Sequence, residues 1–149
     1  MSWNPLTLTI LQRYLAAPQL RALQTAALAD AQGDPLPELI ADVTARVRAE
    51  LRAGGNRLSA DPQALPAELH GPAAALVLAT AQTRLPTLEL RPDQVRAYQD
   101  ARALLERFAT GRLRPEAPDD PETAPAPTSG QTVVVSARSD RLTARRLRF

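Results

Sequence analysis

A chain of 149 residues is long enough for one ordinary domain with a real core, and an apolar share of 44% is normal for a globular protein. There is no cysteine, which excludes disulfides, thiolate nucleophiles and sulfur-ligated metals, and no lysine, which excludes amine catalysis. The formal net charge is +2, carried by 18 arginines against 16 acids, too small an excess to imply nucleic-acid binding without a patch of one sign. Aromatic residues make up only 3% and the apolar residues are mostly Ala and Leu, which favours close-packed helices over a β-sandwich. The N-terminal MSWNPLTLTI lacks the basic region and cleavage site of a secretory signal, and no run of 18 or more apolar residues occurs. A soluble intracellular product without membrane contact is expected.

In chain order, a threonine at position 7 or 9 can cap a short helix with Leu8, Leu11 and Leu15 on one side. Ala17-Pro18 interrupts it, and PQLRALQT reads as a second short helix with Leu20 and Leu23 inward. AALADAQGDPLP is the first loop. Leu36, Leu39, Ile40, Val43, Val47 and Leu51 then recur at helical spacing, with Arg46, Arg48 and Arg52 among the charges outside the stripe, and Gly54-Gly55 ends the helix. NRLSADPQALP reads as a connecting loop. Residues 67–85 give an Ala-rich helix, with Gly71-Pro72 marking its true start or a kink, and its small side chains predict a central position covered on both sides. The strongest periodicity is in RPDQVRAYQDARALLERFATGRLRP: Pro92 suits the first helical position, Val95, Tyr98, Ala101, Leu105 and Phe108 form the stripe, and Gly111 and Pro115 end it.

Composition changes after Arg114. PEAPDDPETAPAPTSG has five of the fourteen prolines and four acids, and reads as an extended linker able to span on the order of 50 Å in polyproline II geometry. QTVVVSARSDRLTARRLRF changes again, with Val133, Val134 and Val135 as β-formers and Arg138, Arg141, Arg145, Arg146 and Arg148 against Asp140, ending at Phe149. The charge is therefore segregated: +2 over residues 1–114 (13 Arg, 11 acids), −4 over the linker and +4 over the tail. The expected organisation is a helical domain over 1–114, a linker over 115–130 and a basic arm over 131–149. The fold class is mainly α, a small bundle of three main helices plus short N-terminal ones, with a β-strand in the arm.

No catalytic, cofactor or metal site is expected. His70 is the only histidine and reads as solvent-exposed or capping, since one imidazole without cysteines or a carboxylate cluster makes no zinc site. Asp119 and Asp120 read as solvating charges, because a proline-rich linker cannot hold two carboxylates at a fixed separation. Gly54-Gly55-Asn56 lacks the lysine of a phosphate loop. The arm admits three readings: a disordered basic end, a nucleic-acid arm with only Phe149 for stacking, or a strand that adds to a neighbouring sheet while its arginines select an acidic surface. The last is preferred, so Val133 to Val135, the five arginines and Phe149 are the candidate partner-binding residues.

The order of elements, with ELIADVTARVRAEL, a proline-led Ala-rich helix and then RAYQDARALLERFATGRL, resembles the head-to-tail connector (head-completion, adaptor) proteins of tailed phages, especially those of Mu-like prophages. The likeness runs from Leu6 to about Leu113, and Tyr98, Ala101, Leu104, Leu105, Gly111 and Leu113 carry most of it. The third main helix departs from the family pattern, having Ala, Leu and Val where bulkier or aromatic residues are usual. The resemblance implies a non-enzymatic virion protein made in the bacterial cytoplasm: a homo-oligomeric ring, a dodecamer, joining the portal to tail-proximal proteins at the capsid-tail junction. Double-stranded DNA would pass through its lumen. Arg46, Arg48 and Arg52, alternating with Glu38, Asp42 and Glu50, are the candidate subunit-interface residues. The alternative is a small DNA-associated helical protein whose arginine tail neutralises phosphates.

Overall fold

The structure is a computed structural model, and it describes residues 3–25, 33–84 and 88–123. It is mainly helical, with one small two-stranded antiparallel sheet. The elements in order are β1 (Trp3–Pro5), α1 (Leu8–Leu11), α2 (Ala17–Gln24), α3 (Leu36–Ala53), β2 (Ala64–Pro66), a 3-10 turn (Ala67–Leu69), α4 (His70–Arg84) and α5 (Pro92–Ala109).

Three of the helices, α1, α3 and α5, begin where a side chain accepts from a free backbone N–H. Thr7 caps α1, its hydroxyl accepting from the Ile10 N–H at 3.4 Å. Asp34 Oδ1 accepts from the Leu36 N–H at 2.9 Å at the head of α3. The Gln94 side chain of α5 turns back to accept from the Arg91 N–H at 3.1 Å, the reciprocal half of a capping box. The turn Ala67–Leu69 precedes α4, so Gly71-Pro72 falls in the first turn of that helix, where a missing N–H is harmless.

The core is a single leucine-rich cluster into which every helix contributes. Helix α4 is the central element: Ala73, Ala74, Leu76, Val77, Leu78 and Ala81 are buried, so it is covered on more than one side, as its small side chains predict. Helices α3 and α5 both pack on α4 and on each other. They run in the same direction and meet at their C-terminal ends, where a Cβ on Gly54 would overlap the Phe108 carbonyl. Only glycine permits that approach. Gly111, at φ +69°, then reverses the chain after α5.

Two regions depart from the sequence-based expectation. The stretch read as a connecting loop before α4 contains β2, which pairs with the N-terminal strand in the register Trp3↔Pro66, Asn4↔Leu65 and Pro5↔Ala64. Three-residue strands with proline at their ends carry no alternating pattern, so period-two reading passes over them.

The start of the proline-rich stretch is the second correction. Residues 115–123 are not a free linker: they fold back across the bundle as a strap, and residues 124–149 lie outside the described residues. The Trp3 indole N–H donates to the Glu116 carbonyl at 2.9 Å, and Pro118 is buried. Further on, Ala60 N–H donates to the Asp120 carbonyl at 2.7 Å and Glu122 N–H to the Leu58 carbonyl at 2.6 Å, a short antiparallel bridge centred on Ser59 and Pro121. Acidic and proline-rich composition argues for solvation. Here it is overruled by backbone pairing to an edge that would otherwise have open donors and acceptors.

Candidate interaction surfaces

The segment of residues 57–64, running from the loop after α3 into β2, is organised by one buried cation. Arg48, 7% exposed, donates through Nη1 to the carbonyls of Asp61 and Ala64, both at 2.9 Å, and through Nη2 to that of Ser59 at 2.8 Å. The planar guanidinium suits this, offering forked donors that an ammonium cannot reproduce. Burial pulls its pKa below the usual arginine value, the nearby positive charge of Arg52 acts in the same direction, and the carboxylates of Glu122, Asp61 and Asp120 oppose the shift. Arg48, one of the candidate interface residues, is therefore a structural residue whose guanidinium braces its own subunit.

The strap is held to the same loop. Ser59 Oγ donates to the Asp120 carboxylate, lying 2.9 and 3.1 Å from its two oxygens, while Arg52 Nη2 pairs with Glu122 Oε2 at 3.0 Å. Asp120 is thus a fixed acceptor and not merely a solvating charge, and Arg52 has a partner within its own chain. His70 likewise departs from expectation: it is 6% exposed, and its Nε2 lies 3.2 Å from the Asn4 carbonyl. The carbonyl can only accept, so that nitrogen carries a proton and ties α4 to β1.

Arg46 is the one of the three candidate interface arginines that remains available. It lines an open groove of about 620 Å³ between α3 and α5, together with Glu50, Tyr98, Gln99, Arg102 and Glu106. None of the four charged side chains there makes an ion pair or hydrogen bond with another described residue. Tyr98 is half-buried at the groove, and its hydroxyl has no partner among the described residues. The helical stripe read from sequence placed Tyr98 in the core. Only the C-terminal half of α5 is deeply packed, through Ala101, Leu105 and Phe108, while Val95 is 38% exposed.

A smaller cleft, about 140 Å³, lies between the end of α1, α4 and α5, where the half-exposed ring of Tyr14 rests over Gly71. Among the described residues no group of three or more His, Asp or Glu side chains could hold a metal ion, and no helix is long and apolar enough to cross a membrane. The arm residues Val133, Val134, Val135, Arg138, Arg141, Arg145, Arg146, Arg148 and Phe149 lie outside the described residues. Comparison with known proteins returns no family model, no curated protein and no solved structure that matches the chain.

Proposed function

We propose that this chain is a non-enzymatic particle protein, a head-to-tail connector whose copies form a ring between the portal and the tail of a phage-like particle, with DNA passing through the lumen. The reading rests on the sequence resemblance over residues 6–113. The observation that best supports it is the division of the chain at the strap. A helical bundle closes on itself by residue 123, and the five arginines and three valines of the basic arm all follow that closure. In a subunit built in this way the recognition sequence follows the strap in the chain, and many copies in a ring convert weak single contacts into avidity. Arg46, in the α3/α5 groove, is the interface arginine that the reading retains.

The arm provides the test. Val134→Asp places a charge in the run of β-formers, where strand addition would have to desolvate it. Joining of heads to tails should be lost while the helical circular dichroism of the purified subunit is unchanged. Normal joining by the variant would overturn the strand-addition reading. Duplex affinity at low salt that vanishes on deleting residues 131–149 would instead favour the DNA-associated alternative.

A further inference from the structure

We propose that the α3/α5 groove is a self-association surface that receives the same groove of a second copy, with the helices of the two copies antiparallel. The inference concerns the free subunit and does not depend on the connector reading, under which assembly into a ring would exchange this twofold contact for a heterologous one.

The argument starts from the order of charges along two parallel helices. Each presents an arginine and, one turn later, a glutamate: Arg46 then Glu50 on α3, Arg102 then Glu106 on α5. Because the helices run together and meet at Gly54 and Phe108, the two arginines lie toward one end of the groove and the two glutamates toward the other. At a rise of 1.5 Å per residue the basic and acidic rows are separated by about 6 Å along the axis.

A surface with a basic row and an acidic row has few ways to meet itself. A twofold axis parallel to the helices would stack arginine on arginine and glutamate on glutamate. A twofold axis lying across both helices, at the level of Ala103, reverses the second copy and sets every arginine against a glutamate. Each arginine then comes within two residues, about 3 Å along the axis, of a glutamate of the second copy, Arg102 near Glu106 and Arg46 near Glu50, each pair occurring twice by symmetry. Like-charge juxtaposition costs several kcal/mol across an interface, so the charges choose the antiparallel arrangement even though exposed pairs add little affinity by themselves.

Affinity must come from the groove floor, and the same symmetry supplies it. The small side chain of Ala103 lies at the axis, where two helices can approach closely. Tyr98, five residues before the axis, comes opposite position 108 of the second copy and so beside its Ala109, and both Tyr98 and Ala109 line the groove. A half-buried tyrosine facing a small apolar residue is a common interface anchor. None of these side chains makes a hydrogen bond or ion pair with another described residue.

The test uses the full chain and two exposed positions. Sedimentation equilibrium of the unaltered protein should show a monomer-dimer equilibrium that shifts toward monomer as salt is raised. Arg102→Glu makes the α5 row wholly acidic and Glu106→Arg makes it wholly basic, so each alone should raise the dimer dissociation constant at least about tenfold. Mixed in equal amounts, the two variants should re-associate as a heterodimer. Tyr98→Ala should weaken the dimer with no change in its salt dependence. The proposal is overturned if the unaltered protein is monomeric at high concentration. It is equally overturned if either charge variant dimerises normally, or if the mixture fails to re-associate while both variants keep their helical circular dichroism.

Discussion

Two buried polar residues on α3, four positions apart, behave oppositely. The Thr44 hydroxyl is buried and has no hydrogen-bond partner among the described residues. Its desolvation is uncompensated, so Thr44→Val, which keeps the shape and removes the polar atom, should stabilise the fold by about 1 kcal/mol in denaturant titration. Arg48 is the reverse case, a buried charge with three carbonyl acceptors. Arg48→Met leaves those acceptors unpaired and should cost about 3 kcal/mol, with Arg48→Lys recovering only part because it lacks the fork. Sequence periodicity identifies neither role. Both positions fall on the flank of an apolar stripe, and at Arg48 that flank becomes interior because the loop after α3 folds over it.

Among elements, what was legible follows the strength of the pattern. α3 and α5 have long stripes and clear stops, and the two bounds predicted for α5 fall within about a residue of those observed. The central place of α4 was legible from its alanines. The β1/β2 pair was not, since its stability comes from covering the core and not from strand propensity. The contact between the ends of α3 and α5 was equally hidden: Gly54 reads as a helix stop, while its steric function is to admit the Phe108 carbonyl. Gly54→Ala should therefore destabilise the protein by about 3 kcal/mol, as overpacking of a rigid contact does, against a much smaller effect for alanine at an ordinary helix end. Comparing its unfolding midpoint with that of Ala53→Gly separates the steric cause from helix propensity.

For the whole molecule, the strap carries the folded unit past the break in composition. Composition alone put the boundary at residue 114, but the bundle includes the chain to residue 123. The protein has a single tryptophan, and Trp3 is the residue that the strap covers at Glu116. Truncation after residue 123 keeps the strap and should leave the Trp3 fluorescence unchanged. Truncation after residue 114 should shift its emission to the red and remove about 2–3 kcal/mol, the sum of a few hydrogen bonds and one buried proline. The candidate surfaces were partly legible in the same sense. Arg46 could be picked out as a charge off the core stripe, whereas Tyr98, Arg102 and Glu106 became a surface only when α5 was seen to pack deeply through its C-terminal half alone.

The strap is attached by contacts strung out along its length: Trp3 with Glu116, Ser59 and Ala60 with Asp120, Leu58 and Arg52 with Glu122. Tension applied through the C-terminal arm would reach these attachments one after another, beginning at Glu122, before it loads α5. The subunit thus has a series of small yield points ahead of its helices, so that a pull at residue 123 peels residues 115–123 while the bundle stays whole.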